Sequence, residues 1–147
     1  MTPEIAVRLR LLEDQTFVDL VATRIYPGEL PQYDTERPFA EQIPAVVYEV
    51  ISDVDDDMTQ EGDEGLNRVR IQYDCYAVSH PKARELAGVI KTAINGKSWV
   101  TEDGDNVELV HFDSGRDVPR EAEEDLAPGV PVYRHLADYF VDLGKVA

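Results

Sequence analysis

Asp53, Asp55, Asp57, Thr59, Glu61 and Glu64 stand at positions one, three, five, seven, nine and twelve of a twelve-residue run, the spacing at which an EF-hand loop wraps calcium. Two neighbours argue against that chemistry. The sharp turn of such a loop needs glycine at position six, where this chain has Met58. The loop must also be flanked by helices, whereas the residues on both sides alternate like strands. A solvated acidic turn is therefore expected, and no calcium is assigned.

The other reactive side chains lack partners in sequence. His80, His111 and His135 lie far apart, with no i, i+4 pair of the kind that builds a helical metal site. His80, beside Pro81, reads as a helix-entry residue, and His135 as a satisfied core histidine. Ser114-Gly115 has no Gly-x-Ser-x-Gly context. The single cysteine, Cys75, falls on the apolar side of its strand, which makes it a small core residue and keeps its thiol from substrate. Gly62, Gly65, Gly96 and Gly104 occur singly at turns, so no glycine loop cradles phosphate. No catalytic group, cofactor or metal ligand is expected.

The elements that would position these residues are easier to read. From Arg68 to Ala77 the chain alternates, with Val69, Ile71, Tyr73, Cys75 and Ala77 on one side and Arg68, Arg70, Gln72, Asp74 and Tyr76 on the other. That is the pattern of a half-buried strand. After Ser79-His80-Pro81 the apolar spacing changes to Ala83, Leu86, Ala87, Ile90, Ala93 and Ile94, one face of a helix that Asn95-Gly96 can end. Pro44 to Ile51 predicts a strand that pairs with Arg68–Ala77, leaving Ser52 to Asn67 as a long acidic hairpin tip. Asp-Gly at 103–104 predicts a second hairpin between Trp99-Val100-Thr101 and Val107–Phe112.

Upstream, Thr2-Pro3 predicts the start of a first helix carrying Ile5, Leu9 and Leu12, and Asp14 caps a second with Phe17, Leu20 and Val21. Arg24 to Gly28 turns into an extended segment. Glu29 to Ile43 has no period and reads as an arm of little value to the core. Ser114 to Gly129 reads as an exposed, charged connection. Val132 to Leu143 predicts a closing strand whose uncharged set, Tyr133, His135, Ala137, Tyr139, Val141 and Leu143, faces inward. The fold class is α+β: a mixed, mainly antiparallel sheet with the N-terminal helices and one central amphipathic helix packed on one face.

Composition bounds the function. A chain of 147 residues fits one domain, residues 1–147. With 30 acidic against 14 basic residues its net charge is −16, which repels phosphate backbones and anionic lipids. No apolar run is long enough to span a membrane and no secretory signal opens the chain, so synthesis in a cytoplasm is expected.

The ordered set Arg24-Ile25-Tyr26-Pro27, Pro44-Ala45-Val46-Val47-Tyr48, Gly65, the Arg68–Ala77 strand, the helix with Ala83-Arg84-Glu85-Leu86-Ala87 and the late tyrosine-rich strand resembles the tail-completion family of long-tailed bacteriophages. These are also called tail terminators or head-to-tail joining proteins. The resemblance covers Ile5 to Leu143, with a longer insertion between Pro27 and Pro44 and a larger charged segment from Arg116 to Gly129 than is usual there. It implies a virion protein, made in the host cytoplasm, that forms a homohexameric ring, caps the finished tail tube, and contacts the major tail tube protein and a head-side connector. DNA would pass through the lumen without specific binding. Candidate interface residues are Tyr33, Asp55, Asp56, Asp57, Glu61, Arg68, Arg70, Tyr76, Arg116 and Arg120. A second reading is a monomeric acidic module that binds a basic partner or a cation through residues 53–64. A small enzyme ranks last.

Overall fold

The alternating strand lies at the centre of a six-stranded sheet in a computed structural model of the chain, which describes residues 1–54, 67–120 and 125–144. In chain order the elements are α1 (Pro3–Leu12), α2 (Gln15–Val21), β1 (Ile25–Pro27), a 3-10 turn (Phe39–Glu41), β2 (Ala45–Val54), β3 (Asn67–Ala77), α3 (His80–Ile94), β4 (Trp99–Val100), β5 (Asn106–Val118) and β6 (Tyr133–Gly144). The strand order is β1-β2-β3-β6-β5-β4. Only β1 and β2 are parallel; the other neighbours run antiparallel. This is the expected α+β class, with the helices on one face.

Period-two alternation on β3 and β6 sorts their side chains between a dry face and a wet one. Ile71, Tyr73 and Cys75 on β3, with Ala137, Tyr139, Val141 and Leu143 on β6, are buried under Val7 and Leu11 of α1, Phe17 and Val21 of α2, and Leu86, Ile90 and Ile94 of α3. Each large apolar side chain removed from water there contributes roughly 1.5–3 kcal/mol. Aromatic rings link four strands: Tyr48 to Tyr73 at 6.4 Å, Tyr73 edge-on to Tyr139 at 5.7 Å, and Tyr139 edge-on to Phe112 at 5.4 Å. Burial pushes the Cys75 thiol and the Tyr73 and Tyr139 phenols upward, holding all three neutral.

Local chemistry sets the helix ends. Ser79 caps α3 by accepting a bond from the Lys82 N–H at 3.3 Å, and Pro81 occupies its first turn. Gly96, at φ +73°, ends it in the left-handed region. Asp14 caps α2 through the Phe17 N–H at 3.0 Å, whereas the Thr2 side chain makes no capping bond at the start of α1.

Three expectations need correction. On α1 the buried stripe is Ala6, Val7 and Leu11, while Ile5 and Leu9 are 43% and 42% exposed. Small Ala6 and Val7 let the helix approach its neighbours closely, so the bulkier stripe is turned outward. The arm is not idle: Leu30, Phe39 and Ile43 pack with Tyr26, Ala45, Tyr76, Leu126 and Val132 in a second small cluster away from the helices. Finally, Ser114 to Val118 is not loop but the second half of β5, held by the ladder to β6. A polar sequence becomes a strand there because its partner supplies the backbone bonds.

The two stripes of α1 are separable by mutation. Leu11→Ala should cost about 2–5 kcal/mol in urea unfolding, and Leu9→Ser should stay within about 0.5 kcal/mol. Equal losses would show that the wrong stripe has been assigned to the core.

Candidate interaction surface

The sheet face turned away from the helices carries the charged side chains of β3, β5 and β6. Arg68 and Asp142 are directly opposed and form a two-pronged pair, with Nε–Oδ1 at 2.6 Å and Nη2–Oδ2 at 2.9 Å. Arg70 reaches diagonally to Asp138 at 2.8 Å and to Asp113 at 2.9 Å, lies 5.4 Å from the Phe140 ring, and shares Asp138 with Gln72. Arg134 grips Asp74, with Nε 3.1 Å from both carboxylate oxygens, and lies over Tyr76 at 5.2 Å. Asp74 and Asp142 are the two charged residues buried among those described, each 8% exposed. Unpaired, a carboxylate so placed would be costly; here the guanidiniums neutralise it.

Most candidate interface residues can be placed. Arg68, Arg70, Tyr76 and Arg116 share this face, since Arg116 is in register with Leu136 and Asp74. Arg68 and Arg70 pair within the chain, with acids on neighbouring strands. Arg116 is exposed and makes no ion pair among the described residues. Arg120 pairs with Asp125 and lies 5.4 Å from the Tyr133 ring. Tyr33 sits apart, on the arm, tilted against Phe39 at 6.4 Å. Asp55, Asp56, Asp57 and Glu61 lie outside the described residues, as does most of the acidic turn.

Sequence spacing missed one cluster, on the helix side of the sheet. His135 Nδ1 is 2.7 Å from Asp117 Oδ1, Arg84 Nε is 3.5 Å from Oδ2, and His80 Nδ1 is 4.0 Å from Oδ1. Register explains the meeting: Cys75, His135 and Asp117 form one row across β3, β6 and β5, and α3 begins nearby. Gly115 makes room, because a Cβ there would come within 3.1 Å of His135 Nε2. The His135 hydrogen bond, then the Arg84 and His80 charges, hold the Asp117 carboxyl below its ordinary 3.8. A guanidinium beside the carboxylate makes this a clamp on β5 and not a cation site; among the described residues no metal-binding group of His, Cys, Asp and Glu occurs. Cys75, at the inner end of the row, is fully buried.

A family profile described as Tail completion protein gp17 matches residues 5–136. The chain belongs to that family. As a tail completion protein it is a structural component of the phage virion, located in its tail. Among solved structures, a chain from the virion of a native gene transfer agent particle is similar in fold, with a TM-score of 0.65 at 14% identity over 96% of this chain and 93% of the other. No curated protein matches. In this tail completion protein the paired arginines and aspartates lie on the sheet face opposite the helices, and the arm packs over the Ala45–Tyr76 end of that face.

Removing one partner from the buried pairs should be expensive. Arg134→Ala strands Asp74 and should cost about 2–3 kcal/mol in urea unfolding, against under about 0.5 kcal/mol for Arg37→Ala, whose pair with Glu41 is exposed. Similar small losses for both would sink this reading. Because the folded Asp117 carboxyl is more acidic than 3.8, its contribution is complete above that value and disappears as pH falls through the depressed one. Asp117→Asn should abolish that portion of the acid-unfolding curve followed by circular dichroism; a curve identical to the parent's would refute the assignment.

Proposed function

We propose that this protein, folded as one domain over residues 1–147, assembles as a closed six-membered ring. The ring ends the growing tail tube at its head-proximal end and joins the tube to the head-side connector. It joins surfaces and transforms no substrate. The observation that carries this reading is the tail completion match across residues 5–136, which spans every element from α1 into β6.

Electrostatics supports it. A ring through which genomic DNA slides must not hold phosphates, and gripping them requires free Lys or Arg. On the face opposite the helices Arg68, Arg70 and Arg134 are occupied by aspartates, in a chain of net charge −16. Tyr33, Arg68, Arg70, Tyr76, Arg116, Arg120 and the acidic residues Asp55, Asp56, Asp57 and Glu61 are the proposed contacts with neighbouring copies, tube and connector. Copies that each carry −16 repel one another, so salt screening aids their approach.

Sedimentation should therefore show association strengthening as salt is raised from about 0.05 to 0.5 M, where the screening length contracts well below about 10 Å. Monomers at every salt and protein concentration would oppose the ring. Electron microscopy of assembled particles should place the protein between tail tube and head; density for it elsewhere in the virion would overturn the joining role.

A further inference from the structure

Both sides of the sheet end in a strand that is only half covered. On β2, β1 pairs with Val46 to Tyr48, and among the described residues no element other than β3 bonds to the backbone from Val50 to Val54. On β5, β4 pairs with Asn106 and Val107, the Gly96 N–H reaches the Val110 carbonyl, and Asn95 Oδ1 accepts from the Phe112 N–H. Ser114 to Val118 then has β6 on one side and no described strand on the other. Glu49, Val50, Ile51 and Ser114 to Asp117 are exposed. Open edges of this kind are templates for another strand. β1 itself cannot serve: the Ile25 N–H is taken by the Thr23 carbonyl, Pro27 has no N–H, and its carbonyl accepts from Glu29.

We infer that neighbouring copies join edge to edge, with Glu49 to Val54 of one copy pairing antiparallel with Ser114 to Val118 of the next. This rests on the ring reading above. It uses two different edges of one chain, so the contact is head-to-tail and propagates until it closes.

The register is fixed by what already covers each strand. Across β3 and β6, Ala45 shares a row with Val118 and Glu49 shares a row with Ser114. Bringing the open segments together sets Glu49 beside Val118, a stagger of four rows for the four strands β2, β3, β6 and β5. An even stagger keeps every side chain on its own face. A smaller one drives β5 into β1, and a larger one leaves open edge unpaired.

One row of stagger per strand is the ratio of an eight-stranded barrel with shear eight, whose strands tilt by about 36°. The stagger therefore suits a closed cylinder. Given the usual right-handed crossover from β3 through α3 to β5, its sense agrees with natural sheet twist when the helices lie outside. The paired Arg–Asp face then lines the bore, so Arg68 and Arg70 face the lumen, and of the candidate contacts on that face Arg116 is the one that reaches the next copy.

Charge favours the same register. Glu49 and Arg116 are exposed, of opposite sign, on the same sheet face, and each makes no ion pair among the described residues. Across the junction they become diagonal neighbours, within reach of long side chains.

A double variant, Val54→Cys with Ser114→Cys, tests the contact, because those positions become directly opposed and native Cys75 is buried. Oxidation of the assembled protein should give a covalent ladder on non-reducing electrophoresis, with neither single variant forming one. An oligomer in the ultracentrifuge without the ladder, or with dimers alone, overturns the edge pairing and leaves the ring reading intact. Monomers throughout would remove the ring reading itself. Independently, Arg116→Glu should weaken association roughly fivefold per contact and Glu49→Arg should restore it; failure of the second change to rescue the first also overturns the register.

Discussion

β3 and β6 run antiparallel in unbroken register from Asn67 opposite Leu143 to Ala77 opposite Tyr133, and every other surface is organised by that ladder. A slip of β3 by one residue would carry Tyr73 and Cys75 to the wet face and bring Arg68 and Arg70 beneath the helices. The hydrophobic effect forbids that from one side and the cost of burying charge from the other. The same register sets the Arg68–Asp142 pair and the two diagonal ones, so stability and surface chemistry have a single origin.

The ion pairs on that face serve mainly to make an otherwise awkward surface tolerable. Partly buried pairs such as these add little net stability over an apolar alternative. What they do is fix guanidiniums in place and neutralise the carboxylates, in a chain whose overall excess of negative charge is large. A surface with its charges already matched is compatible with copies standing side by side and with a polyanion passing near it.

The central strands and α3 were legible because their apolar residues recur with clean periods of two and 3.6. α1 was half legible. Its start followed from Thr2-Pro3, but the choice between the Ile5–Leu9 and Ala6–Val7–Leu11 stripes depends on how close α1 comes to its neighbours, which residue size hints at and spacing does not. Ser114 to Val118 could not be recognised as strand, because a polar segment with glycine becomes extended only when β6 offers its backbone. The arm's Leu30, Phe39 and Ile43 escaped notice for want of any period. Among the candidate interface residues, strand parity put Arg68, Arg70 and Tyr76 on one face correctly, while Arg116, read as part of a connection, joins them only through the β5 ladder; the Asp117 cluster, assembled from three distant segments, left no local trace.

Irregularities in the ladders fall at Val50/Ser52 on β2 and at Val107/Leu109 and Phe112/Ser114 on β5, with none between β3 and β6. Bulges bend and coil the strand that holds them. The domain is thus a keel of unbroken register with a bulged wing on either side. Adding or deleting one residue at any of these points would re-aim a wing without disturbing the keel, so the aim of the wings is adjustable independently of the central ladder.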